Sequence, residues 1–502
     1  MNIRRALLLA TGEQHISVII NFCLIAVVSR LLTPAEVGIS VVATGIGAIV
    51  LSLREFATAD FLIQRKNLTP EDTRTSFTIL MGAGLVIALV LFVTSPWIAQ
   101  FYGYGELSDL LRIIALSHVL SAFSLPTLAL LRRDMAFGTV AWINITSGLV
   151  SAVTIVAYAS LGYGAMSFAF GALAGAAVMA LCAVFLCQDV GMFRPCLASW
   201  REVIAYGGFN GMSTLLDRAY EALPQLFLGR ILPASAVGFY NRANMICGIP
   251  DRLILSGVFS VAFPAFATEF RQGNSLKGPY LRAITYLTVF HWPALVAVAL
   301  LAKPIVLIIL GSQWLSAVPL VQLLALSSLF WFPTILTQPL LVAVGAIRHN
   351  FLNCLITRPL AAIILCTASL YGVTALAASQ FIALPLQVCI TLTFVRRHVP
   401  FTWREMGAAV WRSGVVTLCS ALGPGAIIAL SGFTFDLSIP AAFAAAVLAA
   451  IGWLAGLWLS NHPVLAELQV VTDAVKGLLP SNAPLPAQRI SPRALRSMIK
   501  RM

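Results

Sequence analysis

The sequence predicts an all-α integral membrane protein. About fourteen transmembrane helices form two pseudo-symmetric six-helix lobes plus a C-terminal helix pair. Composition is the first observation behind this. Of 502 residues, 59% are hydrophobic and 10% charged, with mean hydropathy +0.92, whereas a soluble domain carries about 25% charge. The second is a series of apolar runs, each long enough for the roughly 20 residues that cross a bilayer as a helix. The third is a similarity of the chain to itself at an offset of 200 residues.

The first lobe takes spans 12–32, 37–57, 77–100, 110–131, 138–160 and 164–187. The second takes 203–232, 236–265, 281–310, 316–345, 350–370 and 374–395, and the pair is 408–430 and 438–460. The expected divisions are therefore 1–200, 201–400, 401–465 and a basic cytoplasmic tail, 466–502. Runs longer than a bilayer is thick are expected to tilt or kink, for example at Pro250, Pro293 or Pro304. The start is basic, but Gly12-Glu13-Gln14-His15 interrupts its apolar run. That argues against a cleaved signal peptide and for a first span that is its own insertion signal.

With the N-terminus inside, 25 of the 32 Lys and Arg residues fall in cytoplasmic positions, six of them in the tail. Only Arg30, Arg112, Arg230, Arg242, Arg252 and Lys303 fall outside, and Arg218 lies in mid-membrane. An even number of spans with both termini cytoplasmic satisfies the positive-inside rule. The same distribution accounts for the net charge of +13 without nucleic acid. The connecting loops are too short for a nucleotide-binding or large external domain, and no phosphate-binding Gly-rich loop occurs. Cysteines such as Cys23, Cys182, Cys366, Cys389 and Cys419 lie in apolar runs as small fillers, so neither a disulfide framework nor a metal site is expected.

The duplication rests on Arg30-Leu-Leu-Thr-Pro-Ala-Glu-Val-Gly38 against Arg230-Ile-Leu-Pro-Ala-Ser-Ala-Val-Gly238. It continues in Pro96–Gly103 against Pro304–Gly311 and Ala115-Leu-Ser117 against Ala325-Leu-Ser327. Parallel repeats of this kind fit a transporter with its substrate site between the lobes.

Charges inside the spans point to that site, because ionisable groups in lipid are costly and usually face a polar cavity. Asp217 lies about 20 Å along the seventh span, and Arg218 and Glu221 share roughly its face. Arg242, Asp251 and Arg252 follow in the eighth span, and Arg54 and Asp60 flank the end of the second. Guanidinium forks suit an anionic head group, so Arg218, Arg242, Arg252 and Arg54 are the substrate-binding candidates. Asp217, Glu221, Asp251 and Asp60 are candidates for charge balance or for proton or cation coupling. Buried ion pairs joining the lobes would explain the same residues. His291 reads equally as a packing residue or a proton site. Trp97, Tyr102, Tyr104 and Trp314 fall where an aromatic belt is expected. In the tail, Leu495, Met498, Ile499 and Met502 oppose Arg493, Arg496, Lys500 and Arg501, as in a helix lying on an anionic leaflet; a solvated tail accounts for them as well.

The ordered motifs resemble the polysaccharide-repeat (Wzx-like) flippases of the multidrug/oligosaccharidyl-lipid/polysaccharide exporter superfamily. The resemblance is carried by Arg30–Gly38, Leu62-Ile-Gln-Arg-Lys66, Arg112-Ile-Ile-Ala-Leu116, Leu130–Phe137, Gly229-Arg-Ile-Leu232, Val237–Ala243 and Leu310–Leu320. It covers residues 15 to about 400. It implies an alternating-access pair of lobes, no catalysis and no cofactor. The implied substrate is an undecaprenyl-diphosphate-linked oligosaccharide, moved across the bacterial inner membrane for exopolysaccharide or lipopolysaccharide O-antigen synthesis. A polymerase and a chain-length regulator are the implied partners. It also implies head-group roles for Arg218, Arg242 and Arg252 and, after them, Arg54, whereas Arg30 and Arg230 read instead as interfacial anchors. The acids Asp217, Glu221 and Asp251 depart from a purely cationic cavity. A cation-coupled drug antiporter and a lipid II flippase are the alternatives. A membrane glycosyltransferase or polymerase fits less well, because no sizeable external loop is present.

Overall fold

Prolines and caps divide the chain into its helices. The computed structural model describes residues 3–53, 60–65, 68–186 and 190–466, and every regular element among them is helical. The first segment comprises α1 (Ile3–Leu31), α2 (Pro34–Ser52), the short α3 (Asp60–Gln64), α4 (Pro70–Tyr102), α5 (Leu107–Arg133), α6 (Phe137–Ser160) and α7 (Met166–Phe185). The second begins with α8 (Trp200–Ile231), α9 (Ala234–Cys247), α10 (Ile249–Arg271), α11 (Lys277–Leu300) and α12 (Ala302–Ile309). It continues with α13 (Val318–Ser328), α14 (Phe332–Ile335), α15 (Thr337–Ala343), α16 (Ile347–Ser369) and α17 (Val373–Arg396). A final pair, α18 (Trp403–Leu430) and α19 (Ile439–Leu459), packs together, with Ser420 Oγ donating to Ala449 O at 2.9 Å.

Among the described residues, twelve helical stretches are long and apolar enough to cross a membrane. The two other expected spans, 203–232 and 236–265, include residues whose side chains lie outside the described set. The second of these is not one helix. It breaks between α9 and α10 at Gly248, where Pro250 has no N–H to continue the ladder. The run 281–310 divides at Leu301, two residues after which Pro304 enters α12 as its third residue. Pro293 is carried inside an unbroken α11. The run 316–345 becomes α13, a 3-10 turn, α14 and α15. The basic tail lies outside the described residues.

The motif Thr33-Pro34-Ala35-Glu36 starts α2 as a capping box. Thr33 N–H donates to Glu36 Oε2 at 2.7 Å, and Glu36 N–H donates to Thr33 Oγ1 at 3.4 Å. Outward faces are apolar: on α4, Leu85, Val86, Leu89, Val90, Phe92 and Val93 are all exposed. A continuous apolar exterior of this kind requires lipid as its solvent.

The helix pair at the centre of the bundle follows the 200-residue offset. Helix α2 packs on both α8 and α9. A Cβ on Gly38 would sit 1.8 Å from the carbonyl oxygen of Ala234, and one on Gly238 would sit 2.1 Å from that of Pro34. The two contacts exchange when 200 is added to one partner and subtracted from the other. Hydrogen is therefore the only side chain that admits this backbone approach.

Candidate functional site

Helices α1 and α8 end side by side with α2 and α9 beginning, so their last carbonyls have no partner within their own helix. Each set is capped from the opposite segment. Gln313 Nε2 donates to Ser29 O at 2.5 Å and Leu32 O at 3.0 Å, and Trp314 Nε1 donates to Ser29 O at 2.6 Å. In the mirror arrangement, Tyr104 Oη donates to Gly229 O at 3.0 Å and Leu232 O at 3.2 Å. The acceptors are the same positions, 29 and 32, repeated at 229 and 232. The donors follow Gly103 and Gly311, which end the second duplicated motif. The arginines that open the first motif also cross over: Arg30 Nη2 donates to Ile308 O at 2.8 Å, and the Arg230 guanidinium lies 5.0 Å from the Phe101 ring centre. Thus Tyr104, Gln313 and Trp314 form a reciprocal latch, and Arg30 and Arg230, both exposed, reach across it to the opposite segment. Trp314 is fully buried, which corrects its placement at an aromatic belt; Trp97, 64% exposed, fits one.

Arg242 belongs to the same end of the bundle. It is buried, its guanidinium 5.6 Å from the Trp314 ring centre and its Nη1 3.8 Å from Met245 Sδ. Among the described residues no carboxylate pairs with it and its Nε has no hydrogen-bond partner. A buried guanidinium without a carboxylate partner costs several kcal/mol.

Away from the latch, polar contacts join α10 to α11, α8 to α16 and α16 to α17. His291, fully buried on α11, holds Asp251 of α10 through Nε2···Oδ1 at 2.6 Å, while its Nδ1 is buried without a partner. On α8, Arg218 is exposed, and Tyr220 lies under the Arg358 guanidinium of α16 at 5.2 Å. Thr391 Oγ1 donates to Asn353 Oδ1 at 3.0 Å between α17 and α16. Arg252 is exposed beside Asp251. Asp217 and Glu221 lie on α8 and Asp60 on α3, but their side chains, like the whole of Arg54, are outside the described residues. Sequence reasoning passed over Arg358 because it counted it with the cytoplasmic basic residues, although the expected span 350–370 contains it. It is the twelfth residue of α16, about 17 Å from the helix start.

The opposite end has its own ties. Arg65 bridges Asp72 at 2.7 Å and pairs with Glu202 at the start of α8. Arg133 caps the end of α3, donating to Leu62 O and Arg65 O at 2.6 Å each. Asn144 of α6 donates to Glu13 of α1 at 2.5 Å.

A lipid-embedded helical bundle that carries arginines and an acid–imidazole pair among the helices of its second duplicated segment has the architecture of a membrane transporter. Solved structures of that architecture match over most of the chain. The lipid II flippase MurJ in an inward closed conformation aligns with TM-score 0.74 at 14% identity, covering 91% of this chain and 100% of that one. An inward-facing multidrug resistance MATE family transporter of the MOP superfamily aligns with TM-score 0.59 at 13% identity, covering 78% and 98%. Sequence narrows the class. The model of the polysaccharide biosynthesis protein family matches residues 27–319, more than half of the chain, and the chain belongs to that family. Similar proteins include lipopolysaccharide biosynthesis protein WzxC of Escherichia coli (strain K12), 24% identical over 60% of this chain and 62% of that one. Teichuronic acid biosynthesis protein TuaB of Bacillus subtilis (strain 168) is 26% identical over 53% and 55%. Succinoglycan biosynthesis transport protein ExoT of Rhizobium meliloti (strain 1021) is 29% identical over 65% and 66%. The chain thus spans less than two thirds of the length of each of these relatives.

Proposed function

We propose that the protein is a flippase that moves undecaprenyl-diphosphate-linked oligosaccharide repeat units across the bacterial inner membrane by alternating access, for exopolysaccharide or O-antigen synthesis. The family and the names of its relatives support polysaccharide transport. The observation that carries the mechanism is the reciprocal latch: two duplicated segments, 1–200 and 201–400, each cap the other's first helix at one end. Hydrogen bonds to orphan carbonyls are individually worth about 1 kcal/mol, so a handful of them forms a closure that a substrate's binding energy can open. On this reading the latch faces the periplasm, both termini face the cytoplasm, and residues 401–465 are an added pair. The diphosphate is held by Arg218, Arg252 and Arg358 while the prenyl tail stays in lipid between the segments. Arg242 contacts the anion only after Trp314 withdraws. Asp251 and His291, joined by a hydrogen bond, are the coupling candidates, together with Asp217 and Glu221 of α8. A polymerase receives the repeat unit on the far side.

The test is the lipid-linked oligosaccharide pool in a strain lacking this protein, with leaflet location read by an impermeant glycosidase. One complete repeat unit accumulating on prenyl diphosphate, accessible only from the cytoplasmic face, is the expected result. A normal pool accessible from the periplasm sinks the reading and favours a drug antiporter. In the same assay Arg358→Gln is expected to accumulate the repeat unit at normal protein levels; wild-type export would remove Arg358 from the pathway.

A further inference from the structure

A second basic site lies far along the chain from the latch, where α17 ends and α18 begins. Thr393, Arg396, Arg397, Pro400, Phe401 and Thr402 line an open cavity of about 360 Å³. Its floor is rigid. Phe401 is buried and stacks on Tyr280 with ring centres 5.7 Å apart. Arg396 Nε donates to Phe401 O at 3.1 Å, closing the turn, and its guanidinium lies 5.3 Å from the ring centre of Trp403, which is 53% exposed. Arg397 lies over Phe394 at 5.2 Å. Among the described residues neither arginine pairs with a carboxylate. The neighbouring Glu405 is already matched: it receives Lys277 at 2.6 Å and the Thr402 N–H at 2.8 Å. His398 adds no charge at neutral pH, because burial, then His349 and Arg397, hold its pKa below the usual histidine range.

Two guanidinium groups without a carboxylate partner among the described residues, Arg397 and the Nη end of Arg396, form a fork for phosphate oxygens. Their position at helix ends, beside a half-exposed tryptophan, is where lipid head groups meet a membrane protein. We propose that this cavity is a binding site for the phosphate of an anionic phospholipid, such as phosphatidylglycerol, separate from the transported substrate. Arg396 and Arg397 grip the phosphodiester, Thr393 and Thr402 offer hydroxyl groups, and Trp403 seats the glycerol region. A retained lipid here tethers α17 to the terminal helix pair. The site does not depend on what the protein transports.

Native mass spectrometry of the full-length purified protein tests it, with phosphatidylglycerol and phosphatidylcholine titrated in parallel. Wild-type protein is expected to retain phosphatidylglycerol in preference to phosphatidylcholine. A basic side chain near an anionic lipid contributes about 1 kcal/mol, so Arg397→Gln should weaken that retention about fivefold and R396Q/R397Q further. Arg397→Gln breaks no hydrogen bond among the described residues, so it keeps the test valid if the double variant does not fold. Equal retention of both lipids by the wild type, or unchanged retention in Arg397→Gln, overturns the proposal. Displacement of the lipid by millimolar inorganic phosphate also overturns it, in favour of a soluble anion.

Discussion

The two halves of the latch use the same backbone acceptors with different donors. Positions 29 and 32 are held by an amide and an indole, Gln313 and Trp314, the latter fully buried. Positions 229 and 232 are held by one phenol, that of Tyr104, which is only half-buried. A phenol has a single proton to share between two carbonyls, whereas Gln313 and Trp314 supply separate N–H groups. Duplication fixed where the orphan carbonyls lie, because that follows from where each first helix stops. The donors were free to diverge. The Trp314 side is therefore the firmer half, and under the proposed alternating access opening begins at Tyr104.

The strongest way to break this comparison is Trp314→Ala. It removes the buried indole and its hydrogen bond, and large-to-small core changes of this type cost about 3–5 kcal/mol. Thermal unfolding of the purified protein should show a clear drop, with Arg242 becoming reactive to phenylglyoxal. A wild-type melting curve would mean that Trp314 is not a closing element. Next in size is Gly38→Ala, whose added methyl collides with the Ala234 carbonyl; overpacking costs about 1–3 kcal/mol. The pseudo-symmetry requires Gly238→Ala to behave alike, and a large difference in export between the two would argue against a shared crossing. Tyr104→Phe is milder, about 1 kcal/mol for the lost bond. It should increase labelling of a cysteine placed at Leu232 by an impermeant thiol reagent while leaving a cysteine at Leu32 protected. Equal labelling at both sites would refute the order of opening.

The smallest effect separates the latch from the terminal helix pair. Behind α19, His462 accepts Val464 N–H on Nδ1 at 3.2 Å and lies 3.4 Å from Ser413 Oγ. Burial, and then Arg412, lower its pKa from 6.5 to about 4. The unfolded chain binds the proton more readily, so the contribution of His462 to stability is complete above pH 6.5 and is lost as pH falls towards 4. Melting temperature should decrease over that window, and His462→Asn should flatten the decrease. The latch donors Gln313, Trp314 and Tyr104 do not gain a proton there, so latch variants should keep the wild-type pH slope.

Much of this was legible in the sequence. The long helices α1, α2 and α4 to α7 each appear as an apolar run, whereas the five-residue α3 does not, and the Thr33–Glu36 cap and the repeat at residue 230 are visible as motifs. The breaks at Pro250 and Pro304 were among the expected kinks, whereas Pro293 stayed inside its helix. The candidate site was less legible. Asp251 and Arg242 were found as charges out of place in lipid, but their contacts were not, and Arg358, though inside the expected span 350–370, was counted only with the cytoplasmic basic residues. Trp314 and Tyr104 carry side chains common at membrane interfaces, so nothing local distinguished a latch from a belt.

Alone, the sequence determined the lipid environment, the all-helical class and the existence of two related segments, because hydropathy, helix caps and repetition act over a few neighbouring residues. Only the tertiary structure decided that Gly38 meets Ala234, that Gln313 reaches Ser29 and that His291 holds Asp251. Those contacts join residues 40 to about 280 positions apart. They form only when packing brings an orphan carbonyl, a missing side chain or a buried charge within about 3 Å of its complement.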